Sequence, residues 1–153
     1  MSSPTLQQIR TAIAARISGV AGTGQVYDRE RYASDMGALK ALYLSDGTIK
    51  GWFIRRRATD ENYDAIGRST VVHRWDVRAY QAFDDPNSSE IAFDNMIESV
   101  RDAFRVDDGL GGVIATVIVD GVIGLQVADA GPVLFGGVLC HGARCALATE
   151  HFL

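Results

Sequence analysis

The sequence predicts an α+β fold: one domain, residues 1–153, with a largely antiparallel sheet and a long β-hairpin packed against an N-terminal helix and a central helix. Three observations lead there. Apolar residues recur at helical spacing near the N-terminus and again over residues 88–106. Between them, TVVHRWDVRAY alternates apolar and polar residues as a half-buried strand does. The last third of the chain alternates β-forming stretches with glycine-rich turns.

Each element has its own signals. Ser3 followed by Pro4 offers a capping hydroxyl and a proline at the first helical position. Leu6, Ile9, Ile13 and Ile17 then line one helical face, and Gly19 is placed to end the helix. GVAGTGQ reads as a loop, with Val26 and Tyr27 opening a short strand. Tyr32, Met36, Leu39 and Tyr43 mark a second, weaker helix before the turn Ser45-Asp46-Gly47. Ile49 to Arg57 is aromatic and β-branched, hence a strand, and ATDENYDAIGR is a polar loop leading to the next one. In that next strand Val71, His73, Trp75, Val77 and Ala79 share the apolar face; Arg74, Asp76 and Arg78 take the other. Asn87 and Glu90 stand three apart, as in a capping box, ahead of the stripe Phe93, Ile97, Val100 and Phe104. Strands are expected at about 113–119, 122–128 and 137–149.

Composition narrows the function. At 153 residues with 47% hydrophobic content, the chain suits one compact domain with a real core. A net charge of −4 argues against an electrostatic grip on nucleic acid, which needs an excess of Lys and Arg. No apolar run approaches the ~18 residues of a membrane span. MSSPTLQQIR lacks the charged-then-apolar pattern of a signal peptide, so synthesis in a cytoplasm is expected. The two cysteines do not suggest a disulfide framework.

Candidate chemistry is sparse. VLCHGARCALATEHF gathers Cys140, His141, Cys145 and His151, four residue types that ligate metals. On a strand, however, Cys140 and His141 point to opposite faces, and His141 and Cys145 lie about 13 Å apart, beyond one zinc ion's reach. The cysteines are expected to behave as small buried hydrophobes, with neither metal nor cofactor. GVAGTG follows a helix and so lacks the strand-glycine-helix context of a dinucleotide site. There is no G-x-S-x-G elbow, and Asp107-Asp108-Gly109 lacks the later ligands of a calcium loop. His73 lies on an apolar strand face and is expected to be a hydrogen-bonded core or interface residue. No catalytic constellation emerges.

Arg55, Arg56 and Arg57 do stand out, because three consecutive arginines must project to both faces of a strand. Either the hairpin tip runs past the core into solvent, or it meets a neighbouring subunit, where the planar guanidinium is favoured. Asp60, Glu61, Asp64 and Arg68 supply local or intersubunit partners.

The blocks LQQIRTAIAARI, QVYDRERY, DGTIKGWFIRRRA, VVHRWDVRAYQAF, SEIAFDNMIESVRDAFR, GLQV and FGGVLCHGARCALATE follow one another over most of the chain. In that order they resemble the tail terminator, or tail completion, proteins of tailed bacteriophages and prophages. The resemblance implies a small α+β protein that forms a ring, commonly a hexamer. Such a ring caps the tail tube, stops its polymerisation and presents a surface to the head-neck connector. It implies no active site and no membrane. It also implies a virion location at the tail-neck junction, assembly in the host cytoplasm, and DNA passing through the lumen without specific binding. A head-closure or neck adaptor, or another tail or baseplate protein, would share ring assembly. A small cytoplasmic enzyme or ligand-binding domain is the alternative of another class, and a closed apolar pocket with converging polar groups would favour it.

Overall fold

In the computed structural model, which describes residues 3–64 and 66–153, the first helix (α1) spans Leu6–Ser18. It begins later than Ser3-Pro4 predicts. Thr5 Oγ1 accepts the Gln8 amide at 3.1 Å, and Gln8 Oε1 accepts the Thr5 amide at 2.8 Å. This reciprocal pair satisfies two backbone donors, whereas a start at Ser3 would put Leu6, with no acceptor to return, at the third helical position. Gly19 closes the helix, its amide bonded to the Ala15 carbonyl at 3.0 Å. Ile9, Ile13 and Ile17 are fully buried.

The next elements are β1 (Gln25–Tyr27), α2 (Met36–Leu42) and β2 (Leu44–Ser45). Helix α2 is shorter than its apolar spacing predicts. Asp35 caps it by accepting the Ala38 amide at 2.8 Å, so Tyr32 lies outside and is exposed. Asp46 and Gly47 then turn the chain with positive φ at both positions, the conformation a tight hairpin requires.

The hairpin that follows is longer than predicted. Strand β3 runs Thr48–Tyr63 and pairs with β4 (Ser69–Ala82) from Lys50↔Gln81 to Tyr63↔Ser69. The stretch 58–63, read from sequence as loop, is therefore strand. Its polar side chains stay in solvent while its backbone pairs with β4, so polarity does not prevent pairing. The turn is confined to the segment after Tyr63, where Asp64 Oδ1 accepts the amides of Ile66 (3.0 Å) and Arg68 (2.8 Å). Ala65, inside that expected loop, lies outside the described residues. The register slips at Arg57, after which Thr59 and Glu61 face His73 and Val71.

Before the central helix, the expected Asn87–Glu90 capping box does not form. Asp85–Asn87 is a single 3₁₀ turn, and Asn87 Nδ2 donates to Asp84 at 2.8 Å. Ser88 holds the cap position in a left-handed conformation with no side-chain bond, and α3 runs Ser89–Val106. The proline-induced turn has already taken Asn87 out of reach of the helix amides.

The C-terminal third also departs from expectation. Residues 113–117 are mostly turn; only Ile118–Val119 (β5) and Val122–Ile123 (β6) form a small separate hairpin. Strand β7 spans Gln126–Phe135 and β8 spans Val138–Phe152. The segment DAGP thus belongs to a strand, and Pro132 fits because β7 is a sheet edge that needs no donor on its outer side.

The main sheet has the order β1-β3-β4-β8-β7, antiparallel except for β1 beside β3. Gly51 permits that parallel contact: a Cβ there would lie 2.8 Å from the Gln25 carbonyl oxygen and 2.7 Å from the Tyr43 ring. On one face, α1 and α3 bury Trp52, Ile54, Trp75, Val77, Cys145 and Leu147 beneath Phe93, Ile97, Val100 and Phe104. On the other, α2 covers only one end, over Tyr43, Ile49, Phe53 and Cys140. Val71 is buried but lies outside both clusters.

Candidate functional site

The two cysteines fall as strand parity predicts, Cys140 in the cluster under α2 and Cys145 in the core beneath α1 and α3. Burial pushes their thiols up, to about 11 for Cys140 and about 12 for Cys145, so neither supplies a thiolate at neutral pH. His141 Nε2 is hydrogen-bonded to Ser89 Oγ at 2.7 Å and its ring stacks near Phe93, tying β8 to the start of α3. Among the described residues, no three His, Cys, Asp or Glu side chains converge as metal ligands.

His73 and His151 do come together. Adjacent strands bring their rings to 5.5 Å, and His73 Nδ1 is hydrogen-bonded to Thr59 Oγ1 at 2.7 Å. Burial holds both imidazoles below their usual range, and for His73 the neighbouring His151, Arg56 and Arg10 add to the effect. Sequence reading placed His73 on the apolar face but missed this pair. The available signal was position: both residues sit on inward-facing strand positions, but only the β4–β8 register makes them neighbours.

A recess of about 850 Å³ is a groove bordered by α1, residues 112–115 and the end of β8, with His151 in its wall. It lies open to solvent. The closed pocket with converging polar groups that would point to a small-molecule enzyme is therefore a poor description of it.

The hairpin gives a clearer surface. Strand β1 stops at Tyr27↔Phe53, so β3 from Arg55 to Tyr63 has β4 on one side and no strand on the other. Every residue of this stretch except Ala58 is exposed. Its charges divide into two sets. Arg55 is tied locally, to Glu30 at 3.4 Å and Asp76 at 3.8 Å. Asp60 pairs with Arg74 at 3.3 Å, and Asp64 with Arg68 at 3.2 Å. The backbone amides of Arg68 and Ile66 hold the Asp64 carboxyl below its ordinary range, and the Arg68 guanidinium also lies 4.0 Å over the Phe152 ring. Asp64 and Arg68 thus build the turn. Arg56, Arg57 and Glu61 have no ion-pair partner within 4.0 Å among the described residues.

The arrangement offers an open strand edge carrying unneutralised guanidinium groups. Such an edge can extend its backbone hydrogen bonding or dock an acidic surface. No family model matches the chain, and no curated protein matches it in sequence.

Proposed function

We propose that this protein is a structural component of a phage particle, a tail terminator that works as a ring at the head-proximal end of the tail. The ring caps the tail tube, stops its growth and joins it to the neck connector. The observation that carries this reading is the open β3 edge from Arg55 to Tyr63, with Arg56 and Arg57 unpaired among the described residues. Edge strands left uncovered normally invite association, and a protein that closes into a ring has a use for one. The sequence blocks that resemble tail terminators supply the identity of the assembly.

The remaining features are compatible with a structural role. The cysteines are buried hydrophobes, His141 is a strut between strand and helix, and a net charge of −4 suits a lumen through which DNA must slide. Deleting the gene from its phage or prophage should give tails of uncontrolled length that fail to join heads, as seen by electron microscopy of lysates. Normal tail length with failed head joining would assign the protein to the neck as an adaptor. Normal tails joined to heads would refute both readings.

A further inference from the structure

A head-to-tail ring needs two different surfaces on each subunit, and the open β3 edge is only one of them. Its surroundings gather several arginines. Arg10 reaches from α1 to the Asp28 carbonyl at 3.2 Å, Arg31 lies 4.8 Å over the Tyr27 ring, and Arg29 and Arg55–Arg57 complete the group. Against these six arginines the same region sets Asp28, Glu30, Asp60, Glu61 and Asp76. Asp28 is bound to Arg29, Glu30 and Asp76 to Arg55, and Asp60 to Arg74. Arg10, Arg31, Arg56 and Arg57 are thus the arginines without an acid partner within 4.0 Å among the described residues, against Glu61 alone among the acids.

The opposite flank has the reverse composition. Helix α3 sits over the β8 side of the sheet, fixed there by the Ser89–His141 bond and by Arg101 Nε donating to the Leu125 carbonyl at 2.9 Å. Its outer surface and preceding turn present Asp84, Asp85, Glu90, Asp94, Glu98 and Asp102, all exposed. Arg101 and Arg105 pair with Glu98 and Asp102, leaving the other four without a cation within 4.0 Å among the described residues. The β3 side thus carries four unpaired arginines against one unpaired acid, and the outer face of α3 carries four unpaired acids and no unpaired arginine, among the described residues.

We infer, resting on the ring reading, that the arginine-bearing β3 edge of one copy docks against the acidic outer face of α3 in the next copy. The occupant is a second copy because one chain carries both complements on opposite flanks, so each docking event leaves one surface of each sign open for the following subunit. Direct strand-to-strand continuation from β3 to β7 is disfavoured. Pro132 removes a donor from β7, and the register slip between Val127 and Asp129 bends it, two devices that blunt sheet edges. A nucleic acid would engage the arginines alone and give the acidic flank no role.

Two variants test the pairing. Arg56→Glu/Arg57→Glu makes the β3 edge acidic, as α3 already is, and Glu90→Arg/Asp94→Arg cancels the acidic excess of α3. None of these four side chains has an ion-pair partner within 4.0 Å among the described residues, so the folded monomer should survive, as circular dichroism will check. By sedimentation at high protein concentration and low salt, wild type should self-associate. Each variant alone should do so at least about tenfold more weakly, because the charge attraction is lost at every contact. An equimolar mixture of the two should recover association, since the acidic edge of the first variant meets the arginines introduced on α3 of the second, and the native edge of the second meets the native α3 of the first. Several results would overturn the inference: a wild type that stays monomeric, variants that associate normally, or a mixture that fails to recover. If the edge variant instead loses binding to purified tails while wild type is monomeric, the occupant is a different protein. Failure here leaves the deletion phenotype, and hence the ring reading, to stand or fall separately.

Discussion

His73 and His151 show how two residues of unremarkable sequence position acquire a shared property. Each sits in a buried strand position, and the groups facing His73 are His151 from β8, Arg56 from β3 and Arg10 from α1, all cationic or able to become so. Folding lowers both affinities for protons, so the unfolded chain binds more protons as pH falls. Stability from this pair is therefore fully present above the unfolded histidine value of about 6.5 and declines as pH drops below it. Thermal unfolding should show a melting temperature that decreases between about pH 7 and pH 5, with a slope that His151→Leu flattens. His151 Nδ1 has no hydrogen-bond partner, so the leucine breaks no side-chain bond at that atom. An unchanged slope in the variant would show that the pair does not titrate as described. Asp28 and Asp64, whose carboxyls are held below the ordinary 3.8, add acid lability only in a lower and separable range.

At the scale of elements, α3 is the support on which the sheet is laid. Its apolar stripe fixes one face over Trp75 and Val77, and Phe104 is completely buried at the far end. Gly124 closes against this site, since a Cβ there would come within 3.3 Å of Phe104 Cβ in a backbone conformation with φ of +61°. Truncating Phe104 to Ala should destabilise the protein by about 3–5 kcal/mol in denaturant titration, the loss expected for emptying a filled aromatic site. A cost near zero would mean that the core at this end is loosely packed or that loop 109–125 collapses into the space. The β3 strand of the hairpin, by contrast, draws little on burial beyond Arg55, although its β4 partners Val71, Val72 and His73 are buried. Its distal half is held by the β4 backbone, the Asp64 turn and exposed ion pairs, each individually weak.

For the whole molecule the consequence is an uneven distribution of order. The sheet is anchored by helices on one face and by α2 at one end of the other, while the β3 edge beyond Phe53 has no strand beside it among the described residues. Amides of residues 55–63 that point away from β4 should exchange with solvent faster than those of β4 and β8 in the free subunit. In assembled particles the same amides should be protected. Hydrogen exchange on both forms reads this directly, and equal exchange before and after assembly would place the contact elsewhere.

The sequence by itself determined the α+β class, the apolar stripes of α1 and α3, the inward face of β4, and the separation of Cys140 from Cys145. These follow from periodicity, because a repeat of 3.6 or 2.0 residues fixes which side chains share a face whatever the element packs against. It also singled out Arg55–Arg57, since three charges in a row cannot all avoid a core unless the strand leaves it. Boundaries were less legible. Residues 58–63 are polar enough to read as loop, yet a strand at a sheet edge needs only a backbone partner, and β4 provides it. The Asn87 box lost to a 3₁₀ turn, and Ser3 lost to the reciprocal Thr5–Gln8 pair. Only the tertiary structure decided that Arg55 answers to Glu30 and Asp76 while Arg56 and Arg57 have no ion-pair partner among the described residues. It alone decided that His73 meets His151, and that the basic edge and the acidic helix lie on opposite flanks. Such facts depend on strand register and on the placement of helices over the sheet, which bring together residues far apart in the chain and leave no periodic trace in it.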